Sequence, residues 1–261
     1  IILDGTGYGL DGNIWGFEVF YGDCKNFRRL AHLQYTALPG GEACIREPWR
    51  NAVGMLFSLL GDKGFELSEQ LFPSHKQALP VLRAKIEKGM NTVYAGTCGR
   101  LFDAVSSMIG ICDKSTYDGE AAIRLSELAN LNLPVNAYSY EIQEHEQKLL
   151  FNFSKMLLQI VDDLAREKDV IEISTAFHET IVQALVDGMN RLHHNFPQYN
   201  KKIVLSGGSF HNRYLKERLI DCLSAAGFEV FTHQRIPCND GGLSYGQLMV
   251  AAAKRKGITC V

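Results

Sequence analysis

Residues 202–232 read KIVLSGGSFHNRYLKERLIDCLSAAGFEVFT, and this stretch decides the fold class. Residues 202–205 are a short apolar strand, and the Gly-Gly pair that follows forms a turn. A helix is predicted over residues 212–226, and a second strand over residues 229–232. This strand–turn–helix–strand order is typical of a parallel or mixed sheet flanked by helices, which places the chain in the α/β class.

The remainder of the chain carries a hairpin, a helical region and a closing helix. Residues 14–21 and 26–34 are the predicted strands of the hairpin, and residues 1–3 are a strand stub before a glycine-rich turn. A helix is predicted over residues 42–60, where Pro48 should kink or split it because proline has no N–H to donate. Further helices are predicted over residues 98–109, 119–131, 154–167, 173–196 and 243–254, and further strands over residues 137–143 and 148–153.

The composition bounds the class of protein. The 261 residues are 46% hydrophobic, which is enough for one sizeable domain or two small lobes. The formal net charge of -2 argues against nucleic-acid binding as the main activity. No apolar run approaches the length of about 18 residues that spans a membrane. The chain starts without Met, at Ile1 inside a predicted strand, and shows no signal peptide, so we expect a fragment of a larger protein.

Two glycine-rich segments are candidate ligand loops. The first is DGTGYG at residues 4–9, where glycines let backbone N–H groups approach an anion and Asp4 is a candidate cation ligand. The second is LSGGSFHN at residues 205–212, between a strand and a helix, where ligands of α/β folds bind. The alternatives are a tight hairpin turn for the first segment and a simple helix cap by Asn212 for the second.

Two further segments carry charged residues beside glycines. In PCNDGG at residues 237–242, Asp240 is either a helix N-cap or an oxygen ligand for a metal. In TCGRLFD at residues 97–103, Arg100 is suited to grip a phosphate or carboxylate in a bidentate fork. The alternative is a weak ion pair between Arg100 and Asp103 on a helix surface.

Six segments, in one order, resemble the HypF family of carbamoyltransferases. They are DGTGYG with NIWGFEV at 4–19, LPGGEACIREPWR at 38–50, TCGRLFDAVSSMIG at 97–110, YDGEAAIRLSELA at 117–129, LSGGSFHNRYL at 205–215 and PCNDGGLSYGQ at 237–247. The resemblance implies the second lobe of a TsaD-like domain over residues 1–261, with the actin-like ATPase (ASKHA, ribonuclease H-like) fold. Its mixed sheet would be flanked by helices, with a helical insertion over roughly 42–135. The closing helix at 243–254 would pack toward a first lobe.

The resemblance also implies an activity. In the family, carbamoyl phosphate and ATP give carbamoyl-adenylate, and the carbamoyl group passes to the C-terminal cysteine of HypE during cyanide-ligand synthesis for NiFe hydrogenase. It implies a cytoplasmic enzyme with ATP, carbamoyl-adenylate and a divalent metal (Fe, Zn or Mg), and with no membrane or nucleic-acid partner. The family's His-rich metal motif lies upstream of the first matching segment, so we expect the isolated chain to be inactive.

Individual residues take roles from the same resemblance. Those assigned to the nucleotide are Gly5, Thr6, Gly7, Glu120, Gly207, Gly208 and Asn212. Glu120 would accept the ribose hydroxyls, and Asp4 and Asp240 would be the metal ligands. Arg100 would face the carbamoyl or phosphate end and is the catalytic candidate. These roles require the turns near residues 4, 207 and 240 to converge on one nucleotide and its cation.

Other functions remain open at this point. An O-carbamoyltransferase of the antibiotic or nodulation type would share the lobe and differ in its acceptor. A TsaD-like threonylcarbamoyl transferase acting on tRNA is a second alternative, although the weak net charge and the GRLFDA segment favour HypF. An actin-like sugar kinase would need a catalytic Asp beside a sugar pocket. A docking module would bind a partner without binding a nucleotide.

Overall fold

The computed structural model describes residues 1–256, which form nine strands and ten α-helices. The strands are β1 Ile2–Tyr8, β2 Ile14–Gly22, β3 Phe27–Leu33, β4 Thr36–Pro39, β5 Thr92–Thr97, β6 Glu141–His145, β7 Lys148–Asn152, β8 Lys202–Leu205 and β9 Glu229–Thr232. The helices are α1 Ala43–Arg46, α2 Pro48–Leu60, α3 Asp62–Leu71, α4 Leu79–Lys88, α5 Cys98–Met108, α6 Glu120–Leu128, α7 Ser154–Ala165, α8 Val170–Asn195, α9 Arg213–Ala225 and α10 Leu243–Lys256.

A large mixed sheet and a small parallel sheet meet at β1. The large sheet has the strand order β4-β5-β2-β3-β7-β6, with β1 paired to β2, and the small sheet is β8-β9. Leu3 N–H donates to the Ser206 carbonyl (2.9 Å), and Ser206 N–H donates to the Ile1 carbonyl (3.0 Å). The small sheet therefore continues the large one, and the predicted mixed sheet flanked by helices is confirmed.

Strand β1 carries a bulge where a glycine turn is predicted. Leu3 lies opposite Phe17 and Gly7 opposite Trp15, so β1 holds extra residues between these two pairs. The chain reverses only after β1, where Gly9 N–H donates to the Asn13 carbonyl (2.9 Å). The prediction of a turn over residues 4–9 is thus wrong for most of that segment, because the pairing with β2 extends through it.

The predicted helical insertion over residues 42–135 contains a strand of the large sheet. Strand β5 pairs parallel with β2 and antiparallel with β4, so the chain returns to the sheet midway through this region. The other elements there are α1 to α6. The predicted split at Pro48 is confirmed, since α1 ends at Arg46 and Pro48 is the first residue of α2. A proline is tolerated in the first turn, where its missing N–H would have no intrahelical partner.

One hydrophobic core joins both sheets to the helices. Leu3, Phe17, Leu56, Phe177 and Leu219 are all fully buried and belong to this core. Each such side chain contributes about 1.5–3 kcal/mol by leaving water. Both ligand-loop strands, β1 and β8, are therefore anchored in the same packed interior.

The last helix differs from the others in its burial. Helix α10 covers the predicted closing helix, and its large apolar side chains are exposed, among them Leu243 by 58%, Tyr245 by 51% and Leu248 by 65%. Packing of this helix toward a first lobe remains a prediction. Within residues 1–256, no helix has both the length and the apolar character to cross a bilayer.

Candidate nucleotide site

Two of the predicted turns touch because β1 and β8 run side by side. A Cβ atom added to Gly208 would lie 3.2 Å from Asp4 Oδ1, which also accepts a hydrogen bond from Gly5 N–H (2.7 Å). Gly207 has a φ of +105°, and a Cβ there would lie 2.1 Å from the Leu3 carbonyl oxygen. Only glycine satisfies both constraints at position 207, so the Gly-Gly pair is what lets the two strands approach.

The third turn closes onto the same glycine pair. Gly207 N–H donates to the Cys238 carbonyl (2.8 Å), and a Cβ on Gly208 would lie 3.8 Å from Asn239 Cβ. Asp240 follows directly and begins a short 3-10 turn. The segments near residues 4, 207 and 240 are therefore packed together around Gly208.

A cavity of about 1100 Å³ opens beside Gly208. Its walls come from the start of α5, from α6 and the segment after it, and from the start of α9; they include Gly99, Phe102, Ile123, Ser126, Glu127, Asn130, Asn212, Arg213 and Glu217. Two of the predicted nucleotide residues, Gly208 and Asn212, line the cavity. Gly5 lies behind the wall, since a Cβ on Gly99 would meet Gly5 Cα at 2.7 Å, and Thr6 and Gly7 follow it in the bulge.

Asn212 is held from two sides. Its Oδ1 accepts a hydrogen bond from Leu215 N–H (3.1 Å) and so caps α9, and its Nδ2 lies 2.8 Å from His178 Nε2. His178 Nδ1 lies 2.7 Å from the Ser174 carbonyl, which can only accept. His178 therefore carries its proton on Nδ1, and Nε2 accepts from Asn212. Burial lowers the pKa of His178 to about 4, which keeps the ring neutral.

Glu120, the predicted ribose contact, does not line the cavity. Its Oε2 accepts hydrogen bonds from the backbone N–H (2.6 Å) and hydroxyl (2.8 Å) of Thr116, and these bonds lower the pKa of Glu120. Its Oε1 faces Arg124 at 3.4 Å. The carboxylate that α6 presents to the cavity is that of Glu127, two turns further along the helix.

Arg100 forms the ion pair with Asp103, but not on a surface. Its Nη2 lies 3.0 Å from Asp103 Oδ2, and the two side chains are only 7% and 3% exposed. Burial raises the pKa of Asp103 to about 6, although Arg100 opposes this shift. Arg100 Nη2 also lies 4.0 Å from the point where Gly5 would carry a Cβ. The guanidinium is thus a buried cation directly behind the β1 bulge.

Of the two predicted metal ligands, Asp4 lies 3.2 Å from a Cβ added to Gly208, and Asp240 follows Asn239 in the turn that packs against Gly208. Within the described residues, no group of three or more His, Cys, Asp or Glu side chains is arranged to hold a metal ion. Two carboxylate groups without a further protein ligand are a poor site for Fe or Zn, because affinity depends on ligand number and type. The described residues do not by themselves fit a transition-metal centre.

Comparison with known proteins decides the family. Residues 1–247 match the family described as carbamoyltransferase, Kae1-like domain, second subdomain. The chain belongs to the HypF carbamoyltransferase family. HypF of Rhodobacter capsulatus is 37% identical over 256 residues, which cover 97% of this chain and 32% of that protein. The probable HypF of Methanocaldococcus jannaschii is 31% identical over 246 residues, covering 94% of this chain and 31% of that protein.

Solved HypF structures share the fold. A full-length HypF in a phosphate- and nucleotide-bound form has a TM-score of 0.88 at 38% identity, and the match covers 96% of this chain and 38% of that one. HypF of T. kodakarensis has a TM-score of 0.83 at 26% identity, covering 98% and 34%. The predicted family and fold class are confirmed, and this chain spans about a third of the length of these HypF proteins.

Three residues around the candidate site are not among the predicted ones. Asn51 contacts Asp103 from α2, His178 orients Asn212, and Glu127 lines the cavity. His178 and Asn51 are far from the glycine segments along the chain, and only the packing of α2 and α8 brings them near. Glu127 carried a usable signal, because Glu120 and Glu127 are seven residues apart and so occupy the same side of a helix.

Proposed function

We propose that this chain is the nucleotide-holding lobe of a carbamoyltransferase, and that the cavity beside Gly208 takes the adenosine of ATP and of carbamoyl-adenylate. The observation that carries the proposal is the contact of three glycine-containing segments, the β1 bulge and the turns near residues 207 and 240, beside a cavity of about 1100 Å³. A HypF relative solved in a nucleotide-bound form, with the same fold over almost the whole of this chain, supports it.

The cavity walls suit the parts of a nucleotide. Phe102 and Ile123 offer apolar contact to a base, and Glu127 is a carboxylate that can accept ribose hydroxyl protons. The phosphate end would point to Gly208 and the β1 bulge, where glycine leaves the backbone open to close approach. Asn212, fixed by His178, keeps one N–H of its amide to donate to the ligand.

The reaction we propose is an acyl-type transfer from carbamoyl-adenylate to a cysteine of a partner protein, HypE. The thiolate of that cysteine attacks the carbamoyl carbon, a C–S bond forms, the bond from this carbon to the phosphate oxygen breaks, and AMP leaves with the electron pair. Arg100 would stabilise the negative charge that develops on the carbamoyl oxygen. The cysteine belongs to the partner, so this chain needs no nucleophile of its own.

Calorimetry with ATP and AMP tests the nucleotide site directly. In Gly208→Val the added side chain would enter the space beside Asp4, and we expect affinity to fall at least tenfold, the loss of about 1.4 kcal/mol. Gly246→Val is the control, because a Cβ at that position of α10 would point into open space. Equal binding by wild type and Gly208→Val would refute the placement of the ligand.

A second pair of variants tests the ribose contact. Glu127→Gln should weaken AMP binding, because a neutral amide accepts hydrogen bonds less strongly than a carboxylate. Glu120→Gln should leave AMP affinity unchanged, since Glu120 is engaged by Thr116 outside the cavity. A loss of AMP affinity in Glu120→Gln but not in Glu127→Gln would instead assign the ribose contact to Glu120.

A further inference from the structure

A buried polar cluster lies between α2 and α5, behind the β1 bulge. Its members are Asn51, Arg100 and Asp103, which are 1%, 6% and 2% exposed. Arg100 Nη2 and Asn51 Nδ2 both donate to Asp103 Oδ2, at 3.0 and 3.4 Å. Asn51 Nδ2 also donates to the Cys44 carbonyl (2.9 Å), which fixes the orientation of the amide because both partners can only accept.

The cluster leaves strong hydrogen-bonding groups without a partner. Among the residues that the structure describes, Arg100 Nε, Arg100 Nη1 and Asn51 Oδ1 have none. A buried polar group left in this way costs about 1–3 kcal/mol, and more when it is charged. Native proteins rarely keep several together unless a ligand or ordered water satisfies them. The arrangement therefore points to a bound group that supplies both an acceptor and a donor.

The mixture of free donors and a free acceptor selects the chemistry of that group. A phosphate or carboxylate carries acceptors only, so it would pair with Arg100 but face the lone pairs of Asn51 Oδ1. An acetyl group would also leave Asn51 Oδ1 without a donor. A carbamoyl group carries a carbonyl oxygen and an NH2 on one planar carbon, so it offers an acceptor to Arg100 and a donor to Asn51.

We propose that Arg100 and Asn51 form the carbamoyl subsite, with Arg100 donating to the carbamoyl oxygen and Asn51 Oδ1 accepting from its NH2 group. This inference rests on the proposed function, because the carbamoyl group arrives on a nucleotide held beside Gly208. The cluster has the right place: Arg100 Nη2 lies 4.0 Å from where Gly5 would carry a Cβ. With no side chain on Gly5, the backbone of the bulge lies next to the guanidinium.

Entry of the ligand requires a small rotation of the guanidinium. Nε and Nη1 are enclosed in this structure, so the carbamoyl group meets Nη2 first. Turning the terminal torsions of Arg100 exchanges only the bond to Asp103, since within residues 1–256 the other two nitrogen atoms hold no bond to lose. In this arrangement Asn51 determines the specificity for a carbamoyl group, and Arg100 stabilises the charge on the carbamoyl oxygen.

The experiment compares two ligands that differ only in the carbamoyl group. Calorimetry on the whole 261-residue chain would use adenosine 5′-sulfamate and its N-carbamoyl derivative, a stable mimic of carbamoyl-adenylate, with AMP as the reference. Wild type should prefer the carbamoylated compound. Asn51→Leu and Arg100→Lys should each reduce that preference about tenfold or more, while the affinity for AMP stays within about twofold.

Controls separate this subsite from a structural role. Arg124→Lys is the matched control, because Arg124 is 49% exposed and outside the cluster. Arg100→Lys keeps a cation beside Asp103 and gives the answer if Asn51→Leu fails to fold. An unchanged preference in Arg100→Lys, or a parallel loss of AMP affinity, would overturn the subsite alone. No binding of AMP to wild type would overturn the proposed function and the subsite with it.

Discussion

Replacing His178 by glutamine tests how much the stability around Asn212 depends on the protonation of this one histidine. His178 is fully buried and accepts from Asn212 only while it is neutral. Protonation would put a second donor against the Asn212 amide in an interior formed by Phe102, Phe177 and Tyr214. Glutamine can keep both bonds, donating to the Ser174 carbonyl and accepting from Asn212, but it does not titrate.

The size of the effect follows from the pKa of His178, which burial lowers from 6.5 to about 4. The unfolded chain binds this proton more readily than the folded one between these two values. Stability from the neutral ring is therefore fully present above about pH 6.5 and is lost as the pH falls toward 4. Between pH 7.5 and pH 5, this one group should remove about 2 kcal/mol from the free energy of unfolding.

Urea denaturation of both proteins at pH 7.5, 6.5 and 5 measures the difference. His32, whose pKa burial lowers to about 4, and Glu18, whose pKa burial raises to about 7, also titrate but are common to both proteins. The His178→Gln variant should gain about 2 kcal/mol relative to wild type on going to pH 5. If the stability of the two proteins changed in parallel with pH, the lowered pKa of His178 would be refuted.

Three further perturbations test the fold around the site. Gly16→Ala would place a Cβ 2.6 Å from a β1 carbonyl oxygen, so urea denaturation should show a loss of about 1–3 kcal/mol; Gly246→Ala, with open space around it, should show no loss. Glu179→Gln removes the carboxylate that Arg218 grips at 2.9 and 3.1 Å and should lower the melting temperature. Leu248→Ser should leave the free energy of unfolding within about 0.5 kcal/mol of wild type in urea denaturation, because that side chain is 65% exposed.

Much of the secondary structure could be predicted because it depends on local patterns. The strand–turn–helix–strand order of residues 202–232 is confirmed in β8, α9 and β9. The split of the helix at Pro48 follows from the chemistry of one residue and is also confirmed. Strand β5 was not predicted, because its pairing with β2 and β4 depends on residues that are distant along the chain.

For the candidate site, the close approach of backbone segments was predictable from the sequence, and the partners of the side chains were less so. The glycine segments mark where the chain must approach itself, and Gly207 shows this with its positive φ. The partner of a charged side chain depends on packing: Arg100 and Asp103 form the ion pair that was the alternative prediction, yet the fold buries it. Glu120 lies in the expected segment but turns toward Thr116, which sequence spacing cannot reveal.

The seam between β1 and β8 also limits how the cleft can move. Backbone hydrogen bonds tie Ile1 to Val204 and Leu3 to Ser206, so the bulge with Asp4 and the turn with Gly208 form a single stiff platform. The bulge and the turn cannot move independently of each other. A movement that closes the cavity therefore has to come from another of its walls, such as the one formed by α6 and the segment after it.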